Sequence, residues 1–308
     1  KSILKLPAVH LCFLKFRLIG SLQMVLIFAA ALCSVLVSVL LKNLKKKGYQ
    51  PMQMIAWNYA SASLLCYLWF KPDIQHISIQ HTPWWLIVAL GVILPSIFLC
   101  LAKSLEYAGI VKTEIAQRLS VVLSLLAAYF FFQEQFNSLK LLGIGLGIFA
   151  VLLILLGHFN ESSGSQSKKA IFALMSVWFG YAAVDILLKY TSSLGLQFTL
   201  TLNLIFITAF VLSIIYLIFQ KNSAWHFKNT FAGLMLGVLN FSNIALYVKA
   251  HILLKDSPAI VFASMNILVV LLGIVCGVVL YKEKLKLPTI VGIILGISGL
   301  VSLALAMK

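Results

Sequence analysis

Apolar runs of nearly constant length follow one another along most of the chain. An α-helix rises about 1.5 Å per residue, so ~20 apolar residues cross the ~30 Å hydrocarbon layer of a bilayer. Breaks that carry Gly, Pro or Ser separate these runs. They lie at 24–42, 52–70, 84–105, 110–132, 139–157, 170–189, 197–219, 230–251, 257–281 and 287–306. The pattern predicts an all-α, polytopic membrane protein with ten transmembrane helices.

The composition excludes a soluble fold. Apolar residues make up 62% of the chain and charged residues 10%, whereas soluble domains average about half and a quarter. The net charge of +16 sits in short clusters between the apolar runs, such as 45–47 and 282–286. Such clusters are typical of loops beside anionic lipid head groups. The expected partner of these residues is therefore the lipid bilayer and not nucleic acid.

A polar linker at 161–169 divides the spans five and five. The halves, 24–160 and 170–308, match at three places: Lys42 recurs as Lys189, Lys103 as Lys249 and Glu134 as Glu283, displaced by 147, 146 and 149 residues. Nearly constant offsets in the same order indicate an internal duplication. Residues 1–23 form a basic extension before the first repeat, which we expect to lie on the membrane surface or to be poorly ordered.

An odd number of spans in each half means that the second half enters the membrane from the opposite face. Inverted repeats of this kind are a recurrent basis for alternating access, with the substrate site near the bilayer midplane between the halves. The sequence therefore predicts two inverted five-helix repeats around a central cavity.

Short motifs follow one another in the same order in both halves, except that the aromatic-glycine element is found in the second half alone. They are a lysine ending the first helix (Lys42, Lys189), an aromatic-glycine element (Trp178-Phe179-Gly180), and hairpins with an acid followed by two glycines (Glu134, Gly143 and Gly147; Glu283, Gly292 and Gly296). In this order they resemble the EamA-type drug/metabolite transporter family. The resemblance implies ten helices in two EamA repeats, and both termini in the cytoplasm.

Two segments depart from the family pattern. Cys33-Ser34 stands where family members often have Trp-Gly, and Arg118-Leu119-Ser120 stands where a proline is common. The resemblance implies that these positions line the cavity. The departures leave the expected fold unchanged, but they mean that the resemblance does not identify the substrate.

Ionisable residues within spans are the sharpest functional signal, because burying a charge in hydrocarbon costs about 2.5–3.5 kcal/mol even on insertion scales. The candidates are Lys103, Glu114, Arg118, Asp185 and Lys249. Two alternatives stay open. Glu114–Arg118 and Asp185–Lys189, each four residues apart, can be neutralised structural couples, and Lys103 and Lys249 can extend to the membrane interface.

Polar and aromatic residues form stripes on two predicted helices, the sixth and the eighth, and such stripes either hold helices together or line a pore. With the ionisable candidates they give one predicted substrate-binding set: Ser34, Lys103, Glu114, Gln117, Arg118, Trp178, Tyr181, Asp185, Asn240, Asn243, Tyr247, Lys249 and Asn266. Three bases and two acids among them favour zwitterionic or anionic, amino-acid-like metabolites. We therefore predict a small-molecule transporter that works by alternating access in a bacterial inner membrane.

Other functions remain as alternatives: an exchanger of nucleotide sugars or phosphorylated metabolites, or a non-transporting assembly or lipid-translocating subunit. Motifs of hydrolases, P-loop enzymes, zinc proteases and dinucleotide-binding enzymes are absent from the sequence. We therefore expect no enzyme activity, cofactor or metal. The paired glycines suit either internal helix packing or a dimer face, which leaves monomer and homodimer open.

The orientation in the membrane has two opposing indications. Connections after odd-numbered spans hold twelve basic residues, and the termini with the other connections hold nine. The positive-inside rule places the more basic side in the cytoplasm, whereas the family resemblance implies the reverse. The hairpin acids Glu134 and Glu283 have a simpler expected role, which is to lie near the positive N-terminus of the next helix.

Overall fold

The computed structural model describes residues 6–73, 82–132, 136–159, 165–220, 225–254 and 258–306, and these form helices and short connections. The helices are α1 (Leu6–Lys46), α2 (Pro51–Phe70), α3 (Trp84–Tyr107), α4 (Ile110–Arg118), α5 (Ser120–Phe132), α6 (Ser138–Phe159), α7 (Ser165–Ser193), α8 (Phe198–Phe219), α9 (Phe227–Leu253), α10 (Pro258–Val275) and α11 (Leu287–Ala306). A π-helical turn, Cys276–Leu280, continues α10.

Each of the ten predicted spans contains helix in the structure. Within the described ranges, nine helical stretches are long and apolar enough to cross a membrane, and α4 with α5 makes up one of them. The tenth, α2, has 20 residues like α11. It is more polar because it carries Gln53, Asn58 and Ser61. These side chains are buried against other helices instead of facing lipid.

The first helix is longer than the first predicted span. It is continuous from Leu6 to Lys46, so residues 6–23 of the basic extension are helical, and their location at the membrane surface stays a prediction. The stretch Met24–Lys46 of this helix is long and apolar enough to cross a membrane.

The two repeats run in opposite directions. Along α2 and α8, Asn203 Nδ2 donates to the Ser63 carbonyl at 2.9 Å, and the Trp57 and Phe210 rings lie 6.1 Å apart. Positions farther along α2 thus meet positions earlier in α8, so these second helices of the two repeats are antiparallel. The last helices agree, because Gly143 of α6 faces Gly299 near the end of α11. The predicted inversion is confirmed.

The largest remaining contacts between the repeats come in pairs: each contact has a counterpart made by the equivalent helices of the two repeats. The first helix of each repeat packs on the third helix of the other repeat, α1 on α9 and α7 on α3. The pairs α2–α9 and α8–α3 follow the same rule, as do α1–α10 and the contacts of α7 with α4 and α5. A pseudo-twofold axis in the membrane plane therefore relates the repeats.

Glycines allow the closest contacts between the repeats. Gly237 of α9 lies against α2 so tightly that an added Cβ would be 2.5 Å from the Asn58 carbonyl oxygen and 2.6 Å from Ser61 Cβ. Without a side chain, the two helix backbones approach each other and gain dispersion contacts, which drive helix association in lipid, where the hydrophobic effect is absent. Polar residues of α2 are thereby buried against α9.

The Gly237→Ala variant is expected to be less stable than the wild type. Its methyl group meets backbone atoms that cannot move aside, and overpacking of this kind costs about 1–3 kcal/mol. Thermal unfolding of the purified protein in detergent measures the change. Gly145→Ala is the matched control, because nothing lies within 4 Å of its added Cβ and alanine favours a helix over glycine. Equal unfolding temperatures for the two variants would contradict the packing argument.

Candidate functional site

A cavity of about 740 Å³ lies between the repeats. Face A denotes the membrane face at which α2 ends and α3 begins, and face B the opposite one, at which α1 ends and α2 begins. The cavity reaches from Arg118 at mid-bilayer to Phe198 and Ile252, which stand at the face A ends of α8 and α9. It is therefore open towards face A.

Polar groups from four helices meet on the walls of this cavity. α4 contributes two side chains, α7 two, α9 three and α10 one. They are Gln117, Arg118, Tyr181, Asp185, Asn240, Asn243, Tyr247 and Asn266. The structure thus brings together eight residues of the predicted set, from both repeats, around one space.

The fourth span is broken where it enters the cavity. The sequence predicted one helix over 110–132, but α4 ends at Arg118, and Leu119, with ψ 0°, separates it from α5. Trp178 Nε1 donates to the Leu119 carbonyl at 3.0 Å, and Ser120 Oγ donates to the Gln117 carbonyl at 2.7 Å. These bonds satisfy backbone groups at a break that would otherwise be costly in a membrane.

Broken helices are a common way to build a substrate site in a transporter. Here the break puts Gln117 and Arg118 at the cavity end of α4, whose C-terminus is partially negative and suits the Arg118 charge. Arg118 Nη2 donates to Ser34 Oγ of α1 at 2.5 Å, while Arg118 Nε is buried with no hydrogen-bond partner. Part of the guanidinium therefore remains available.

The acid of the cavity comes from the other repeat. Asp185 of α7 accepts a hydrogen bond from Ser124 Oγ at 3.1 Å, and among the described residues no basic group lies within ion-pair distance of its carboxylate. Asn243 Oδ1 of α9 is likewise buried with no hydrogen-bond partner. An acid and a free amide oxygen thus line the same space as the guanidinium.

The rest of the wall is apolar and aromatic. Tyr59 lies 5.9 Å from the ring of Phe206 and 6.5 Å from that of Phe98, and Leu94, Ile205 and Met265 complete this side. The cavity can therefore hold an organic molecule with one charged end and one apolar end.

Five residues of the predicted set are not on the cavity lining. Lys103 and Lys249 are exposed, and Lys249 Nζ lies 5.9 Å from the Trp69 ring centroid, as expected of side chains that extend to the interface. Glu114 is fully buried on the face B side of Gln117. Ser34 and Trp178 hold Arg118 and Leu119 in place from behind the lining.

These positions change the net charge that we expected for the cavity. The predicted set has three bases and two acids, but only one base, Arg118, and one acid, Asp185, lie on the described lining. His251, which was not in the predicted set, also lies on it. Ser38 and Ser124 were also missed. A signal existed for Ser38, because it follows Ser34 by the spacing that separates Glu114 from Arg118.

Face B is closed by a cluster around Glu283. Its carboxylate accepts hydrogen bonds from Lys42 Nζ at 2.7 Å and from the backbone N–H groups of Ile110 at 2.7 Å and Val111 at 3.1 Å. The expected role at a positive helix terminus is thus realised at another helix: Glu283 caps α4 of the first repeat instead of the following α11. Glu134, its counterpart in the sequence, lies outside the described residues.

Aromatic and polar contacts reinforce this cluster. Lys42 Nζ lies 4.3 Å from the ring centroid of Tyr281, and the Tyr281 hydroxyl donates to Asn43 Oδ1 at 2.7 Å. Burial raises the pKa of Tyr281, so this hydroxyl stays a donor at neutral pH. We name Lys42, Tyr281, Glu283 and the N-terminus of α4 the face B latch.

Replacing Trp178 by phenylalanine is expected to lower stability by about 0.5–1.5 kcal/mol, because the buried carbonyl of Leu119 would lose its side-chain hydrogen bond and keep the 3.1 Å backbone bond from Val122 N–H. The unfolding midpoint of the purified protein measures the effect. Trp225→Phe is the matched control, since Trp225 is half exposed and lies outside the cavity. A Trp178→Phe protein as stable as that control would mean that the break does not depend on the indole.

Comparisons with known proteins agree with the fold and the duplication. The model of the EamA-like transporter family matches residues 21–156 and again residues 168–305. An uncharacterized protein of Haemophilus influenzae is 39% identical over 282 residues, which cover 89% of this chain and 95% of that protein. A solved crystal structure with 15% sequence identity superposes with a TM-score of 0.53 over 94% of this chain and 98% of its own. The chain belongs to the EamA-like transporter family, with one EamA repeat in each half.

Proposed function

We propose that this membrane transporter carries amino-acid-like zwitterions with an apolar side chain, by alternating access, in a bacterial cytoplasmic membrane. The observation that carries the proposal is that Arg118, Asp185 and Asn243 line one cavity, which has an apolar and aromatic wall on its other side. A guanidinium binds a carboxylate with strong, charge-assisted hydrogen bonds. A carboxylate and an amide oxygen accept hydrogen bonds from an ammonium group.

The unused hydrogen-bonding capacity of these groups supports this assignment. Arg118 Nε and Asn243 Oδ1 are both buried with no partner in the protein, although buried polar groups are normally paired. A bound zwitterion would supply an acceptor to the first and a donor to the second. Its side chain would then lie against Tyr59, Phe98 and Phe206.

The charges of the cavity weigh against the phosphorylated alternatives. A nucleotide sugar or a sugar phosphate carries two negative charges close together and is usually held by several basic groups. Arg118 and His251 are the basic residues on the described lining, and Asp185 faces the same space. One positive and one negative centre suit a solute that has one of each.

Alternating access is supported by the unequal ends of the pathway. The cavity is open at face A, whereas the face B latch joins α1 and α4 of the first repeat to the end of α10 in the second. The repeats are inverted copies of each other. If each repeat adopted the conformation that the other has now, the cavity would close at face A and open at face B. The latch would have to break in that exchange.

The Arg118→Gln variant is expected to lose most transport, because it removes a charge-assisted hydrogen bond worth about 1.5–3 kcal/mol, which corresponds to roughly a tenfold or greater loss of affinity. Counterflow of radiolabelled L-phenylalanine in proteoliposomes measures this, after a thermal-shift screen of amino acids with the wild type. Lys249→Gln is the control, since Lys249 is exposed and outside the cavity. Undiminished counterflow in Arg118→Gln would exclude the proposed carboxylate site.

The Glu283→Gln variant is expected to populate a state open at face B, because it weakens the Lys42 ion pair and the cap on α4. Spin labels at the exposed positions 47 and 284, in a background without native cysteines, report the separation of the repeats at face B. The distance distribution should shift to longer values. Glu106→Gln is the control, because the Lys45–Glu106 pair lies within the first repeat and Glu106 is 46% exposed. An unchanged distribution in Glu283→Gln would exclude the latch.

A further inference from the structure

Two side-chain hydrogen bonds connect α1 to α4, one at the cavity and one nearer to face B. Arg118 Nη2 donates to Ser34 Oγ, and Ser38 Oγ donates to Glu114 Oε1. Ser34 and Ser38 are one helical turn apart, as are Glu114 and Arg118, so the two bonds lie one above the other. The Arg118 bond is at the cavity, and the Glu114 bond is one turn nearer to face B.

Glu114 is held in an enclosed site. Its side chain is 0% exposed, and its second carboxyl oxygen, Oε2, has no hydrogen-bond partner. Gly273 of α10 packs on its methylene groups, where an added Cβ would be 3.0 Å from Glu114 Cγ. Among the described residues, no basic group lies within the 4.0 Å ion-pair distance of this carboxyl group.

Few charged or titratable groups surround this carboxyl group. Arg118 is one turn away on its own helix, Tyr181 approaches from α7 and Cys276 from the π-helical turn. On α1, Lys42 lies one turn beyond Ser38, where it is engaged by Glu283. Arg118 is thus the cation that favours the ionised form of Glu114.

An ionised carboxylate in such a place is costly, because desolvation without a directly paired cation amounts to several kcal/mol. A protonated carboxyl group avoids that cost and keeps its hydrogen bond to Ser38. The balance between the two forms therefore depends on the field of Arg118, which is the group that we assign to the substrate carboxylate. A purely structural side chain at this position would not need an acid.

We propose that Glu114 is a proton-binding site of the transporter, loaded together with the substrate. This inference rests on the proposed function. A substrate carboxylate at Arg118 cancels the field that favours ionised Glu114, so Glu114 takes up one proton from water as substrate binds. The coupling is reciprocal, so substrate binds more tightly as the pH falls, and proton and substrate cross the membrane in the same direction.

Infrared difference spectra of the purified protein in lipid test the proton site without any substrate. Between alkaline and acidic buffer, the wild type should gain a C=O stretching band of a protonated carboxyl group. That band should be missing in Glu114→Gln and present in Glu106→Gln, whose acid is at the surface. An identical difference spectrum in the wild type and in Glu114→Gln would overturn the assignment.

Transport in proteoliposomes tests the coupling. With the membrane potential clamped, a gradient of one pH unit, acidic outside, should drive inward accumulation of L-phenylalanine up to about tenfold in the wild type, since a tenfold concentration ratio is equivalent to 1.4 kcal/mol. Glu114→Gln should reach about the external concentration only. Accumulation by Glu114→Gln equal to that of the wild type would overturn the coupling.

The two proposals fail in different ways. If the wild type shows no counterflow of L-phenylalanine or of any amino acid that stabilises it, the proposed function fails, and the infrared spectra still decide whether Glu114 binds a proton. If counterflow is normal but a pH gradient drives no accumulation, the carrier stands and the coupling is wrong.

Discussion

Hydrocarbon offers the backbone no hydrogen-bond partner, and this constraint governs where the chain can depart from regular helix. It departs at three points that matter for the proposed mechanism, and each has its own protein partners. At Leu119, Trp178 supplies a donor. At the start of α4, Glu283 accepts from two N–H groups. Beyond the π-helical turn, the Glu283 N–H bonds the Gly277 carbonyl at 3.0 Å. At each of these three described points, a hydrogen bond from another helix or from the same segment satisfies the irregular backbone.

The sequence predicts the parts of the fold that depend on local composition. Apolar runs mark the helices, since a span needs a minimum length of apolar residues, and the offset between Lys42 and Lys189 marks the duplication. The break at Leu119 could not be predicted, because Arg-Leu-Ser contains no helix-breaking residue and the break depends on an indole from another repeat. The N-terminus of α4 could not be predicted as the partner of Glu283 either, because only tertiary packing brings these two distant parts of the sequence together.

The sequence indicated most of the polar residues that line the cavity, but it did not show which of the thirteen candidates face the cavity and which do not. Of the polar stripes on α7 and α9, Tyr181, Asp185, Asn240, Asn243 and Tyr247 lie on the cavity lining, because polar residues are costly to place in lipid. Lys103 and Lys249 are basic, as Arg118 is, and charged residues of either kind are rare within the spans. Their positions near helix ends allow them to reach water at the interface, and sequence alone does not separate that outcome from a place on the cavity wall.

The pseudo-twofold axis relates the backbones of the two repeats, but three charged residues in one repeat or the other have uncharged residues at the equivalent positions. By the offsets of the duplication, Asp185 corresponds to Ser38, Arg118 to Ile267 and Glu114 to Ala263. Two identical halves would make the two facing conformations equal in free energy and equally populated. Unequal placement of the charges removes that degeneracy, so under the alternating-access mechanism proposed above one of the two conformations would be the ground state.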